Sequence, residues 1–107
     1  MEKYKGGVIT LLNGVTAVGA GGVVNMPHSF HLHTIQANVT GSPTGVDALL
    51  EGSLDGSTWF ELGRCTATTT EMKHIANKPV KYIRGNLTTL TGGTAPTVTL
   101  RYCASIK

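Results

Sequence analysis

The sequence predicts an all-β protein, an antiparallel β-sandwich of about eight short strands. Glycine and threonine are abundant, with 14 and 16 residues among 107, while good helix formers are scarce. Threonine is β-branched and suits a pleated, half-exposed strand, and glycine supplies turns and bulges. The chain also divides into short runs that turn signals separate, which is the pattern of a sandwich or a barrel.

Eight segments have the composition and length of strands. They are residues 7–12, 23–25, 30–38, 46–52, 58–62, 65–72, 80–87 and 96–103. The connections between them are rich in glycine, proline, asparagine, aspartate and threonine, at 13–14, 19–22, 41–45, 55–56, 77–79 and 91–94. No segment requires a helix.

Alternation of apolar and polar residues supports this assignment. In the last segment Val98, Leu100 and Tyr102 fall on one face, with polar residues on the other. The third segment changes phase, since its apolar residues have even numbers up to position 32 and odd numbers from position 35. One extra residue in a strand turns every later side chain to the opposite face, so we expect a bulge near His33 or Thr34.

Residues 51–62 predict a β-hairpin. The pair Asp55-Gly56 lies between two alternating runs, and glycine accepts the positive φ that a tight turn requires. Trp59 then enters the return strand. The favoured interpretation is that Trp59 packs in the core or on the hairpin, and the alternative is a platform on which a sugar or a base stacks.

The length of the chain fits one domain. We expect a flexible N-terminal arm over 1–6 and a single sandwich domain over 7–107. The hydrophobic fraction of 40% is too high for a disordered chain, and no apolar run approaches the ~18 residues of a membrane span. The first five residues lack the apolar core of a signal peptide, so we expect folding in a cytoplasm and no membrane partner.

The net charge of +3 is small for a nucleic-acid-binding protein. Such proteins usually carry a denser basic stripe with interleaved aromatic residues, and aromatic residues make up only 6% of this chain. We expect no nucleic-acid partner. Because an export signal is not evident, Cys65 and Cys103 are expected to be free thiols rather than a disulfide.

The residues do not form the patterns that catalysis requires. Ser53 lies in a Gly-Ser-Leu-Asp-Gly run, which lacks the Gly-x-Ser-x-Gly order of a nucleophile elbow. Glu51 and Glu61 are placed to face each other across the hairpin, where like charges more often sit apart in solvent. No glycine-rich phosphate loop precedes a helix. We therefore expect neither enzyme activity nor a cofactor.

Three of the four histidines lie close together in the sequence. Side chains two apart on a strand point the same way, so His31 and His33 are the candidates for a metal site, with His28 or His74 as a third ligand. Metal sites usually add carboxylates around their ligands, and none is near these histidines in the sequence. The favoured interpretation is an edge strand whose imidazoles bond the backbone or face a neighbouring subunit, without a metal.

Several motifs follow one another in an order that a known family shares. They occupy residues 11–21, 30–39, 41–45, 50–59, 78–84 and 90–99, and together they cover most of residues 8–102. This order resembles a family of small phage and prophage virion proteins. A shorter element, Ser-x-Asp-Gly-x-x-Trp at 53–59 followed by Tyr-Ile-Arg at 82–84, is similar to discoidin-type carbohydrate-binding sandwiches.

The phage resemblance implies a jelly-roll-like sandwich that serves in a virion. It implies a capsid cement or decoration protein, which binds the outside of the shell as a homotrimer after assembly in the host cytoplasm. Its partners are then copies of itself and the major capsid protein or another virion protein. Lys3, Tyr4 and Lys5 of the arm are candidates for capsid contact, and the threonine-rich stretches 66–71 and 88–94 are further candidate contact surfaces.

The alternative is a component of the tail or of a fibre that binds glycans. Trp59, Tyr82 and Arg84 would then form the binding site. A loop that exposes Trp59 would favour this alternative.

Overall fold

The computed structural model describes residues 1–105, which contain ten β-strands and no helix that could span a membrane. The strands are β1 (Glu2–Lys3), β2 (Val8–Val15), β3 (Gly19–Ala20), β4 (Val24–Asn25), β5 (Leu32–Thr40), β6 (Gly45–Ser53), β7 (Phe60–Cys65), β8 (Thr70–Ala76), β9 (Tyr82–Thr91) and β10 (Thr97–Ser105). The domain predicted over 7–107 extends to Ile106 and Lys107, which lie outside the described residues. Eight of the ten strands correspond to the predicted segments, and β1 and β3 are additional.

The strands form two sheets that pack face to face. Sheet A has the order β1-β4-β9-β6-β7, with β3 also paired to β9, and sheet B has the order β2-β10-β5-β8. The recorded pairings are antiparallel except that of the short β1 and β4. The chain changes sheet at most connections, which gives the strand order of a double-sheet jelly roll. The predicted all-β, jelly-roll-like sandwich is confirmed.

The hydrophobic core lies between the two sheets. Val98, Leu100 and Tyr102 of β10 are all buried, as their alternation predicts. The other large apolar side chains that are fully buried are Met26, Ile35, Leu50, Ile83 and Leu87. Burial of one such side chain contributes about 1.5–3 kcal/mol, so this layer dominates the stability of the sandwich.

β5 corrects one expectation, because it has no bulge near His33 or Thr34. It pairs with β10 residue for residue along its whole length. The change of phase disappears because His33 is 1% exposed and takes the inward position that Ile35 and Ala37 take further along the strand. The prediction is wrong because a histidine whose ring is fully hydrogen-bonded can replace an apolar residue in a core.

Two strand boundaries also differ from the prediction. The return strand of the hairpin begins two residues later, because the Asp55 carboxylate holds the backbone N–H groups of Ser57 and Thr58 in the turn. The segment predicted as one strand over 65–72 is interrupted after Cys65. There the Glu71 carboxylate accepts hydrogen bonds from two backbone N–H groups of a turn that precedes β8.

The N-terminal segment is attached to the sandwich, which differs from the flexible arm expected over 1–6. β1 pairs with β4, and Tyr4 is only 2% exposed. The Tyr4 hydroxyl accepts a hydrogen bond from the backbone N–H of Ala104 at 3.0 Å, and its ring packs edge-on against Tyr102. An aromatic ring with a satisfied hydroxyl is stable in the core, so Tyr4 holds the segment while Lys3 and Lys5 stay exposed on either side.

Candidate functional site

The hairpin between β6 and β7 ends in a turn that Asp55 organises. The Asp55 carboxylate accepts hydrogen bonds from the backbone N–H groups of Thr58 and Ser57, both at 2.8 Å, and from the hydroxyls of Ser53 and Thr58. These donors stabilise the charged form and hold the pKa of Asp55 far below its usual range. Gly56 has a φ of +80°, the left-handed conformation for which glycine was expected. The turn between the two strands is therefore a fixed structure.

The outer face of sheet A carries a cluster of polar side chains beside this turn. Arg84 donates from Nε to one carboxylate oxygen of Glu51 at 2.7 Å, and Asn86 donates to the other oxygen at 3.2 Å. The guanidinium carbon of Arg84 lies 4.4 Å from the centroid of the Trp59 ring, which is a cation–π contact. Glu51 thus positions Arg84, and Arg84 packs on Trp59. We call these four residues the tryptophan cluster.

Glu51 and Glu61 are register partners across the hairpin, in the facing arrangement that the sequence allowed. Each carboxylate has its own arginine. Glu51 is paired with Arg84, and Glu61 accepts two hydrogen bonds from Arg64 at 2.6 and 3.0 Å. The bonds from Arg64 lower the pKa of Glu61. Both carboxylates are therefore held as ion pairs, which gives the outer face of sheet A a fixed pattern of alternating charge.

The structure brings the three residues of the predicted glycan site into one region. Trp59 and Arg84 are in contact, and Tyr82 lies two residues before Arg84 on the same face of β9, next to Gly56 of the turn. Trp59 is half-buried, lies outside the core cluster and precedes the return strand, which begins at Phe60. The indole is therefore packed on the hairpin, and one of its faces is covered by Arg84.

An apolar cleft lies between the same hairpin and the residues that precede β9. Its volume is about 390 Å³, within the range of about 300–1,000 Å³ that is common for binding pockets. Leu62 and Val80, each 8% exposed, line it, and Leu54 and Phe60 are 76% and 65% exposed at its rim. We call this the tip cleft. Sequence reasoning missed this cleft, since Leu54 and Phe60 belong to the segment predicted as an ordinary hairpin.

The outer face of sheet B has a different chemistry. It is covered mainly by hydroxyl and amide side chains, and Arg101 donates to Asn38 at 3.3 Å. Val8 and Met72, which are 67% and 55% exposed, border a shallow depression of about 100 Å³. We call this the hydroxyl face; it comprises Val8, Thr10, Thr34, Gln36, Asn38, Thr40, Thr70, Met72, His74, Thr97, Thr99, Arg101 and Cys103.

The two threonine-rich stretches that were candidate contact surfaces lie at the end of the sandwich opposite the turn of the hairpin. Residues 88–94 contain the end of β9, where Thr91 pairs with Gly45 at the start of β6. Residues 66–71 connect β7 to β8, and the backbone carbonyl of Thr69 accepts a hydrogen bond from the N–H of Val39. Most side chains of both stretches are exposed or half-buried.

The histidines are dispersed rather than gathered. His33 is buried; its Nε2–H donates to the backbone carbonyl of Lys78 at 2.9 Å, so its Nδ1 accepts the hydroxyl of Tyr102 at 2.6 Å. Burial lowers the pKa of His33. The side chain of His74 forms a hydrogen bond with the Thr34 hydroxyl. The strand β5, which was expected at an edge, lies inside sheet B between β10 and β8. Within residues 1–105, no three histidine, cysteine or acidic side chains are grouped as metal ligands.

The two cysteines are free thiols in different sheets. Cys65 of sheet A faces the core, and Cys103 of sheet B faces outward. Cys65 is buried in the core, where desolvation raises its pKa to about 11. Cys103 is half-buried on the hydroxyl face. The expectation of two unpaired thiols therefore agrees with their positions.

Comparison with known proteins identifies solved structures of similar fold. No protein-family model matches the chain, and no curated protein matches its sequence. The fold is similar to that of the SPBc2 prophage-derived protein YomS, with a TM-score of 0.60, 12% sequence identity and 92% of each chain covered. A CBM4 structure matches with a TM-score of 0.48 and 12% identity, over 92% of this chain and 70% of that one. The likeness to YomS shows that a prophage-derived protein has this type of β-sandwich.

Proposed function

We propose that this chain is a structural protein of a phage virion, a cement or decoration protein that binds the outside of the capsid as a trimer. The observation that carries the proposal is the fold shared with a prophage-derived protein over 92% of both chains. It agrees with the order of motifs that resembles phage virion proteins. The partners proposed are other copies of the chain and the major capsid protein, after assembly in the host cytoplasm.

The chemistry of the hydroxyl face supports a role in protein contact. Its exposed apolar side chains, Val8 and Met72, lie on a face whose permanent charge is carried by Arg101. Exposed apolar groups and few charges are typical of the centre of a protein interface. Lys3 and Lys5 add exposed positive charges on a segment that Tyr4 fixes to the core. We assign the capsid contacts to this face and to the two lysines.

Trimer formation strengthens such contacts without improving any one of them. When one copy is bound to the shell, its neighbours in the trimer experience a high effective concentration of their own sites. Contacts that are individually weak then hold the protein on the capsid, and each bound trimer links several capsid subunits. Stabilisation of the head follows from the buried contact area.

Cosedimentation with purified capsids that lack this protein tests the proposal. The wild-type chain is expected to sediment with the capsids, and Val8→Asp and Met72→Asp are each expected to weaken binding about tenfold by placing a charge in an apolar contact. Lys73→Glu, which changes a charge on β8 away from the proposed contacts, serves as the control. Wild-type protein that stays in the supernatant at all capsid concentrations would contradict the proposal.

The tryptophan cluster favours a second candidate, a glycan-binding component of the tail or of a fibre. Trp59 offers an aromatic surface, and Glu51, Arg84 and Asn86 offer fixed donors and acceptors beside it. Glycan-array binding with quenching of indole fluorescence tests this candidate. Trp59→Ala should abolish binding on the array, read from a label on the protein because Trp59 is the single tryptophan of the chain, while Phe60→Ala, its neighbour on the cleft side, should keep it. A wild-type chain that binds no glycan on the array would exclude the candidate.

A further inference from the structure

The tip cleft combines a protruding side chain with a cavity of apolar character. Leu54 stands at the rim with 76% of its surface exposed, while Leu62 and Val80 form walls that are nearly inaccessible to water. Phe60 extends the apolar surface at the mouth, with 65% exposed. Large apolar side chains exposed next to one another mark an interaction site in a folded chain. This region therefore has the shape and the chemistry of a contact surface.

Leu54 is held outward by its neighbours on both sides. Ser53 is 2% exposed, and its hydroxyl accepts hydrogen bonds from the backbone N–H groups of Asp55 and Gly56. The Asp55 carboxylate is in turn fixed by four hydrogen bonds. The backbone around Leu54 is thus ordered before any partner arrives, so binding loses little conformational entropy.

The edge of the tip cleft carries charges of both signs. The Asp55 carboxylate lines the cleft. Next to the cleft, the ammonium group of Lys78 donates to the backbone carbonyl of the lining residue Leu62 at 3.0 Å, which places a positive charge near the cleft. A surface with a knob, a cavity, a negative group and a positive group is complementary to a copy of itself. Because the chain carries a net charge of +3, an interface between copies needs such local pairing to offset the overall repulsion.

We propose that the tip cleft is the surface on which copies of this chain meet, with Leu54 of one copy in the cleft of the next. In this contact Asp55 of one copy lies close to Lys78 of its neighbour. When Leu54 of each copy enters the cleft of a different neighbour, the contact is heterologous, and heterologous contacts close into rings when the rotation between copies allows it. The inference deepens the proposed function, because it supplies the contact within the proposed trimer and leaves the hydroxyl face free for the capsid.

Sedimentation velocity of the purified full chain tests this inference. Wild-type protein is expected to sediment as an oligomer as its concentration rises from about 1 to about 100 µM. Leu54→Ala should raise the dissociation constant about tenfold or more, because it removes buried apolar surface, and Leu54→Asp should yield the monomer. Lys78→Glu should weaken association, and Lys78→Arg should retain it. Met72→Ala and Met72→Asp are matched controls on the hydroxyl face, where no change in mass is expected.

Thermal unfolding at a concentration too low for association shows whether each variant is folded, and a change at an exposed position such as Leu54 should there leave the midpoint close to that of the wild type. A monomeric wild type over the whole range, or an unchanged oligomer in Leu54→Asp, would overturn the inference. Dissociation caused by Met72→Asp instead would also overturn it, by placing the interface on the hydroxyl face. An oligomer that requires Leu54 but is absent from virions would contradict only the proposed function.

Discussion

The outer faces of the two sheets carry different kinds of polar side chain. On sheet A the polar groups are charged and paired, and the side chains of the pair Glu51–Arg84 are only 13% and 23% exposed. On sheet B the corresponding groups are mostly neutral, as in the hydrogen bond of 2.6 Å between Thr40 and Thr97. Paired charges fix one geometry, whereas hydroxyl groups rotate and bond water or a partner equally well. The outer face of sheet A is therefore more rigidly organised than that of sheet B.

The largest expected difference between the faces concerns the removal of one hydrogen-bonding side chain. Glu51→Ala leaves Arg84 and Asn86 without their shared acceptor, so the free energy of unfolding should fall by about 2 kcal/mol. Thr34→Ala removes the exposed hydrogen bond to His74 and should change it by less than about 0.5 kcal/mol. Urea unfolding of both variants measures the two values. Equal losses would show that the charged face is no more tightly organised than the hydroxyl face.

A structural feature could be predicted from the sequence when the residues that determine it lie close together along the chain. The alternation of Val98, Leu100 and Tyr102 is local, so the strand and its buried face could be predicted. The Asp55-Gly56 turn is also local, because its hydrogen bonds join residues two or three positions apart. These local signals were sufficient for the fold class and for eight of the ten strands.

The features that sequence reasoning missed depend on residues far apart in the chain. His33 is buried because Tyr102 and the carbonyl of Lys78, which are 69 and 45 positions away, satisfy both ring nitrogens. The ion pair of Glu51 with Arg84 spans 33 positions and requires the pairing of β6 with β9. Neither partner is visible until the strand order is known, so the tryptophan cluster could be predicted only in part.

A second comparison of the faces uses their largest side chains. Trp59→Ala removes the cation–π contact with Arg84 and the burial of the covered part of the indole, so the free energy of unfolding should fall by about 1–2 kcal/mol. Met72→Ala, on the hydroxyl face, should change it by less than about 0.5 kcal/mol because Met72 is 55% exposed. Thermal unfolding of the two variants at equal concentration tests this. A larger loss in Met72→Ala would show that the hydroxyl face contributes more to stability than the outer face of sheet A.

The pH dependence of stability sharpens the account of the hairpin turn. The pKa of Asp55 is lower in the folded chain than its value of about 3.9 in an unfolded chain. Its contribution to stability is therefore complete above the unfolded pKa and is lost as the pH falls through the folded pKa. Asp55→Asn should be less stable than the wild type at pH 7, and the difference should shrink in acid. A difference that stays constant down to pH values of about 2 would contradict the role of the carboxylate charge.

The smallest expected effect distinguishes the two ion pairs of sheet A. Glu61 and Arg64 are 40% and 43% exposed, so Glu61→Gln should cost about 0.5 kcal/mol at low ionic strength and nothing measurable in about 1 M salt. The half-buried pair of Glu51 and Arg84 should retain most of its contribution in the same salt. Urea unfolding at two salt concentrations measures both. If salt reduces the contribution of both ion pairs equally, burial does not protect the pair of Glu51 and Arg84 from screening.

Cryo-microscopy of the assembled virion tests the central claim most directly, namely that this sandwich works by attachment to a capsid. We expect density of this fold on the outer surface of the head, with neighbouring copies joined at their Leu54 turns and the hydroxyl face directed toward the shell. Density of this fold restricted to the tail or the neck, or a head surface without it, would contradict the account.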